Sequence, residues 1–358
     1  MTAATWDIPQ GWEPARALAR AGGTLLLIGD TDSGKSTLAA ILARDAFAAG
    51  RKVTVVDADV GQSSIGPPTC VGAGRVTRPI ASLSEVPAQR IDFVGSPSPV
   101  GHLLGAATST MVMAQWARAD GAETILVDTT GLISGPVARA LKGAKIRLLD
   151  PDAVVAVQSD REAEHLLTPY RTRERPRLLR LAPSPRAAAR SRTQRNAHRQ
   201  RQFAGYFSAG RVHVLDWKQV PVENSSWTAA EPLAGHLRAH AEELLGQEVH
   251  YAARGADGLF LLAAGPASRT GLREVEGVFG VTRAVDAAVY GNLLVGLLGA
   301  HGETLALGIL EKADFSAGRW HVFTPLSSAV AVRGMRLGSI QLARDGTQLA
   351  WLEPAEVG

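Results

Sequence analysis

The sequence predicts an α/β protein in which a parallel sheet with helices on both faces is followed by a smaller β-rich C-terminal domain. Three observations carry this. Up to about residue 200, short β-branched runs alternate with helical patterns, the signature of βαβ units and a parallel sheet. The first apolar run passes through a glycine-bearing loop directly into a helix. Beyond about Gly210 the helical patterns give way to short apolar runs separated by Gly, Asp-Gly and Pro.

In chain order, "GTLLLIG" reads as a buried strand, with a helix from about Lys35 to Ala49 after it. "KVTVVDAD" is the next strand and "RIDFVGS" another. Apolar spacing predicts a helix near Val100–Arg118, and "ETILVDT" returns as a strand. "DAVVAVQ" makes a fifth strand and "RLLRLA" a sixth, just before an arginine-rich stretch. After Gly210, "RVHVL", "GLFLLAAG", "VEGVFGVTRAV", "NLLVGLLG", "TLALGILE", "RWHVFTP", "AVAVRGMRLGSIQL" and "TQLAWLE" read as short strands of a barrel-like domain. One helix, "PLAGHLRAHAEELLG", precedes most of them. The expected division is an N-terminal extension (1–20), a nucleotide-binding domain (21–215) that includes an arginine segment (184–205), and a β-rich domain (216–358).

At 358 residues, 46% hydrophobic and 20% charged, the composition is that of a folded chain with room for two domains. Its basicity is local: eleven arginines against one acid, Glu174, give residues 169–202 a charge of +10, leaving −6 for the rest of a +4 chain. Such a patch is either a solvated helix face or the seat of a specific anionic partner. A single cysteine, Cys70, excludes a disulfide framework and a thiolate zinc cluster. No segment has the apolar length of a signal peptide or a membrane span, so a cytoplasmic location without membrane partners is expected.

"GDTDSGKST" fits the Walker A pattern between a buried strand and a helix, which makes the predicted sheet one of the P-loop NTPase type. Its residues Gly29, Asp30, Thr31, Asp32, Ser33, Gly34, Lys35, Ser36 and Thr37 are the expected ATP site. Glycine lets the loop curl so that successive N–H groups point at phosphate oxygens; Lys35 adds a charge at the β/γ phosphates and the Ser36 hydroxyl can ligate Mg²⁺. One strand later, "VVDADVGQSS" places Asp57 and Asp59 at a strand's carboxyl end, where open α/β sheets bind ligands. A carboxylate there can hold a metal-bound water or accept a proton from an attacking hydroxyl. Asp57 reads equally well as a structural residue, whereas Asp59, beside the Gly-Gln turn, favours function. "ILVDTTGLISG" ends a third strand with Asp128 in Walker B style, so Asp128 competes with Asp59 for the metal or shares it. Gln158 and Ser159 break the guanine-reading pattern that GTPases carry near this place, so GTP specificity is not predicted.

Taken in order, "GDTDSGKST", "DADVGQSS", "DTTGLISG" and the arginine stretch leading into "FAGYF" resemble the polynucleotide 5′-hydroxyl kinase family. That family includes the RNA kinase of eukaryotic pre-mRNA cleavage and tRNA splicing and the nucleolar kinase of pre-rRNA processing. The resemblance covers residues 20–215, and "GNLLVGLLGAHGETLALGILEKADF" is similar to the C-terminal domain of archaeal members. It implies ATP and Mg²⁺ at Lys35 and Ser36, with Asp59 orienting and deprotonating the 5′-hydroxyl and touching the metal through water. It implies a substrate-holding clasp at Thr129, Thr130 and Gly131, and a lid over the triphosphate formed by Arg190, Arg195 and Arg199. The clasp position that carries a stacking Trp in eukaryotic members is Leu132 here, which gives up most of the ~1–3 kcal/mol an aromatic contributes per base. Asp128 stands where those members tend to have Asn.

Gln62, in the Gly-Gln turn, and His102, which opens a helix after a strand end, are further candidates for substrate contact; a capping or packing role suits His102 equally. Arg171, Arg173 and Arg177 are expected only to attract the substrate. The expected activity is ATP/Mg²⁺-dependent phosphorylation of single-stranded RNA or DNA ends that carry a 5′-hydroxyl. An ATP-binding scaffold in an RNA-processing assembly and a small-molecule kinase are the competing readings.

Overall fold

The computed structural model describes residues 8–185, 190–223, 225 and 227–353. The chain divides into two compact units, residues 1–202 and 203–358.

In the first unit, helix α1 (Glu13–Ala21) precedes strand β1 (Gly23–Gly29), and α2 (Lys35–Ala48) follows it. Next come β2 (Val53–Ala58), β3 (Cys70–Arg75), β4 (Arg90–Phe93), α3 (Leu103–Ala119), β5 (Thr124–Thr129), α4 (Gly135–Leu149) and β6 (Ala153–Val157). The short α5 (Glu164–Leu167), β7 (Arg177–Leu181) and α6 (Arg192–Phe207) complete it, and the division between the units falls inside α6. The sheet order is β4-β3-β2-β5-β1-β6-β7. Five strands, β2-β5-β1-β6-β7, run parallel, while β3 and β4 are added antiparallel at one edge. Strands β2, β5 and β6 are buried along their whole length, which is why they read as unbroken apolar runs instead of alternating ones. Two apolar cores, one on each face of the sheet, hold the helices.

Three expectations are corrected. Residues 13–20 are not an extension: α1 packs into the core through Ala15, Ala19 and Trp12, whose indole N–H donates to the Ala182 carbonyl at 2.8 Å. Burying an aromatic of that size contributes roughly 2–3 kcal/mol. Residues 1–7, also placed in that extension, lie outside the described residues. The domain boundary lies before 215, because β8 (Arg211–Asp216) belongs to a sheet of the second unit.

The third correction concerns the barrel. Among the described residues the second unit holds two open sheets. One, of order β12-β11-β10-β9, uses β9 (Glu231–Pro232), β10 (Val249–Gly255), β11 (Gly258–Ala263) and β12 (Thr282–Asp286). Helices α7 (Gly235–Leu245) and α8 (Arg269–Phe279) supply apolar residues to its core. The other, of order β17-β16-β13-β14-β15-β8, adds β13 (Leu293–Leu298), β14 (Thr304–Asp314), β15 (Arg319–Thr324), β16 (Gly334–Leu342) and β17 (Gln348–Trp351). Trp217, Trp227, Phe260, Phe315 and Trp320 fill a shared aromatic core between them. No helix among the described residues is long and apolar enough to cross a membrane.

Candidate active site

Every motif singled out above emerges at the carboxyl edge of the parallel sheet. β1 leads into the phosphate loop, β2 into Asp59 and its turn, and β5 into Asp128 and the clasp. The phosphate loop needs its unusual backbone. A Cβ on Gly29 would lie 2.4 Å from the Val157 carbonyl oxygen, and Gly34, which caps α2, sits at φ 91°. Asp32, at φ 60°, is an L-residue held in the left-handed region that aspartate tolerates. Lys35 is buried and its Nζ donates to the Asp30 carbonyl at 2.6 Å. Its ammonium therefore lies inside the cradle, held by a neutral backbone oxygen.

The carboxylates divide their work. Asp57, 1% exposed, accepts hydrogen bonds from the backbone N–H groups of Asp59 (3.0 Å), Ile65 (3.0 Å) and Ser64, and so staples the loop that follows β2. Burial pushes its carboxyl up to about 7, with the nearby charges of Asp128 and Asp59 adding to the effect. Asp57 thus takes the structural role. Asp59 is only half-buried; its Oδ1 accepts from the N–H groups of Gly61 and Gln62, both at 3.1 Å, and its Oδ2 has no partner among the described residues. One oxygen fixes the side chain, and the other is left open. Asp128, from the neighbouring strand, accepts from the Ser36 hydroxyl at 2.5 Å. Burial raises its carboxyl above the usual range, opposed by the Lys35 ammonium and the Ser36 hydrogen bond.

The clasp is built differently from expectation. Thr129 is fully buried: its hydroxyl donates to the Leu27 carbonyl of β1 at 2.7 Å and accepts from Lys142 Nζ at 2.7 Å. That side chain belongs to the scaffold and offers no hydroxyl to a substrate. Gly131 lies so close to the phosphate loop that a Cβ there would sit 2.2 Å from Thr31 Oγ1 and 2.4 Å from its backbone nitrogen. Only glycine lets these two loops meet. Leu132 packs against the core on one sheet face, and so replaces an aromatic platform with an anchor.

The arginine stretch is not one patch. At the site, the Asp32 carboxylate accepts from the Arg190 backbone N–H (2.8 Å) and pairs with Arg190 Nε (3.4 Å) and Arg195 Nη1 (3.2 Å). Asp32, expected in the ATP site, therefore anchors the lid. Gln62, expected at the substrate, donates from Nε2 to the Gly61 and Arg195 carbonyls at 2.8 and 3.3 Å, which ties the Asp59 turn to the same segment. Gln202 adds a further tie to the Ser63 carbonyl. Arg199 lies one turn after Arg195 and hydrogen-bonds Asn196 at 2.8 Å, with no carboxylate partner among the described residues. Burial lowers its pKa, with the nearby Arg192 charge adding to the effect. Residues 186–189 of the expected lid lie outside the described residues.

Elsewhere the arginines serve the fold. Arg180 pairs with Glu164 at 2.7 Å and Arg175 with Asp152 at 2.9 Å. Arg177 opens β7 opposite Ala153, the first residue of β6, so Arg171, Arg173 and Arg177 lie toward the amino edge of the sheet, away from the phosphate loop. His102 is the N-cap residue of α3; its carbonyl accepts from Ala106 N–H at 2.9 Å, and burial lowers its imidazole against a backbone hydrogen bond at Val94.

Two residues were missed. Lys142 and Lys145 are buried on α4 in the stripe of Ala138, Leu141, Ile146 and Leu149. Burial pushes Lys142 well below the usual lysine range and Lys145 down to about 8, the latter opposed by attraction to Asp59, Asp57 and Asp128. The signal was in the sequence: two lysines inside an apolar helical stripe.

A phosphate loop that faces carboxylates from the next two strands, under an arginine-bearing helix, defines a P-loop nucleotide-binding protein of the α/β class. Comparison with known proteins narrows this. Residues 29–209 match the family model described as mRNA cleavage and polyadenylation factor CLP1 P-loop, and the chain belongs to that family. It is 31% identical to the polyribonucleotide 5′-hydroxyl-kinase of Pyrococcus furiosus, over 98% of this chain and 97% of the relative. To the protein of the same name from Methanocaldococcus jannaschii it is 29% identical, over 92% and 90% respectively. The solved structure of a Clp1p–Pcf11p complex shares the fold, with a TM-score of 0.59 at 12% identity over 92% of this chain and 76% of that one.

Proposed function

We propose that this chain is an ATP- and Mg²⁺-dependent kinase that transfers the γ-phosphate of ATP to the 5′-hydroxyl of RNA, with DNA ends as a second acceptor. The observation that carries the reading is Asp59, held by two backbone N–H groups through one oxygen and open at the other, at the same sheet edge as the phosphate loop. The names of the archaeal relatives support it. Asp59 Oδ2 takes the proton of the 5′-hydroxyl while that oxygen forms its bond to the γ-phosphorus. The bond from phosphorus to the β–γ bridging oxygen breaks, and ADP leaves. Lys35, released from the Asp30 carbonyl, meets the β/γ phosphates, and Arg195, Arg190 and Arg199 exchange carboxylate or amide partners for phosphate oxygens.

The donor set suits Mg²⁺: the Ser36 hydroxyl and the Asp128 carboxylate are hard oxygens already in contact, with Asp59 nearby for a water-mediated link. Ser36 and Asp128 would hold the ion there, and it would supply positive charge to offset that of the phosphates. The lid excludes water from the reacting phosphate, so that transfer to RNA outcompetes hydrolysis.

The test is to incubate the protein with γ-labelled ATP and 5′-hydroxyl oligonucleotides of equal RNA and DNA sequence. Label on the RNA end, lost in Lys35→Ala, is expected. Label released only as free phosphate refutes the kinase reading, and ATP binding without any turnover favours a scaffold.

A further inference from the structure

We infer that Lys142 is a positioning residue for the clasp, a buried amine whose hydrogen bonds set where the RNA end is held; this rests on the kinase reading above. Lys142 is fully buried on α4, two helical turns after the helix begins at Gly135. Burying a lysine side chain costs free energy unless its N–H donors find acceptors. All the acceptors lie on one short segment: Thr129 Oγ1 at 2.7 Å, the Thr130 carbonyl at 2.7 Å and Thr130 Oγ1 at 3.5 Å. These two residues directly follow Asp128 and lead into Gly131, which touches the phosphate loop.

The contacts form a chain across the sheet. The Leu27 carbonyl of β1 accepts from Thr129, Thr129 accepts from Lys142, and Lys142 reaches Thr130. Helix α4 thereby folds back on the loop that precedes it and closes that loop onto the strand that feeds the phosphate cradle. A neutral apolar side chain would fill the same space more cheaply but would leave the Thr130 carbonyl without its donor. Lys145, one turn on, sharpens the contrast: it is equally buried, yet its Nζ has no hydrogen-bond partner among the described residues. Burial is thus common to both lysines, while the grip on the clasp belongs to Lys142.

The experiment measures initial rates against 5′-hydroxyl RNA concentration at saturating ATP, then against ATP at saturating RNA. It compares the wild type with Lys142→Met, Thr129→Val, their combination and Lys145→Met. Lys142→Met is expected to raise the KM for RNA by about tenfold or more, with the KM for ATP within about twofold, because loss of loop placement is felt by the acceptor first. Combining it with Thr129→Val should add little beyond the larger single effect, since both remove the same link. Lys145→Met should keep the RNA KM within about twofold of wild type. An unchanged RNA KM in Lys142→Met, additive effects in the cycle, or an equal rise in Lys145→Met overturns the inference. If Lys142→Met does not fold, Thr129→Val decides alone: it must raise the RNA KM selectively, and an unchanged value overturns the assignment. A wild-type protein that labels no RNA sinks the kinase reading, and the inference with it. Normal wild-type transfer with an indifferent Lys142 sinks the inference only.

Discussion

Replacing Asp32 with asparagine removes the charge that holds the lid to the phosphate loop while keeping side-chain shape and tolerance of φ 60°. The carboxylate makes two ion pairs, at 3.4 Å to Arg190 and 3.2 Å to Arg195, whose side chains are 51% and 30% exposed. Solvent screens pairs this open, so each contributes about 0.5 kcal/mol and the two together ~1 kcal/mol. The Arg190 backbone N–H, 2.8 Å from the carboxylate, keeps an acceptor in the amide oxygen of asparagine. A loss of ~1 kcal/mol raises the opening equilibrium of the lid about fivefold. Hydrogen exchange without nucleotide reads this directly. Amides in the first turns of α6 should exchange about fivefold faster in the variant, while those of β1, β5 and β6 are unchanged. Saturating ATP should narrow the difference, because phosphate oxygens replace the carboxylate as partners of Arg190 and Arg195. Equal exchange in α6 with and without the substitution would refute the claim that Asp32 holds the lid. Acceleration spread through the sheet would instead mark Asp32 as a general stability residue.

Two further predictions follow from the division of the arginines and the carboxylates. Arg195→Ala should lower kcat by about a hundredfold or more, whereas Arg173→Ala, toward the other edge of the sheet, should leave short-oligonucleotide kinetics within about twofold; matching, salt-sensitive losses at both would restore a single basic patch. Because the Asp57 carboxyl is raised to about 7, the native state keeps a proton that the unfolded chain releases near the ordinary carboxylate value, so stability without nucleotide should fall as pH rises through that interval. Asp57→Asn should give a shallower fall in urea midpoint between pH 5 and pH 7, and an undiminished fall would show that Asp57 is not the group responsible.

The nucleotide-binding half was legible because its central strands are buried on both faces and its phosphate loop is a local motif. β3 was not legible, and its glycines explain why. A Cβ on Gly72 would lie 1.8 Å from the Ile65 carbonyl oxygen, and one on Gly74 2.3 Å from that of Pro87, so close backbone packing displaced the β-branched residues that mark a strand. α8 was misread because "VEGVFGV" is rich in β-branched valine and in glycine, which mark a short strand between turns. Its start lies earlier, at the Ser268 cap, whose hydroxyl accepts from Gly271 N–H at 3.0 Å. In the second unit, apolar runs do not state their pairing partners, and two open sheets with a shared aromatic core resemble a barrel when read in chain order.

At the site, placements that depend on local sequence were readable: Lys35 in its loop, Asp59 beside its turn, Asp128 at a strand end. Roles set by distant partners were not. Asp32 reads as part of a phosphate loop until Arg190 and Arg195 arrive beside it, and Thr129 reads as a substrate contact until Leu27 and Lys142 occupy its hydroxyl. The arginine stretch likewise looks uniform until β7, which starts at Arg177 opposite Ala153, leaves its first arginines toward the other sheet edge.

The most direct test of the kinase account is single-turnover transfer from γ-labelled ATP to a 5′-hydroxyl RNA oligonucleotide by wild type and Asp59→Asn, with ATP affinity measured on both. The account predicts labelled RNA ends from the wild type, and from the variant a loss of transfer of about a hundredfold or more with ATP affinity retained. Undiminished transfer by Asp59→Asn would contradict it, since the carboxylate oxygen left open at the sheet edge would then not be the base.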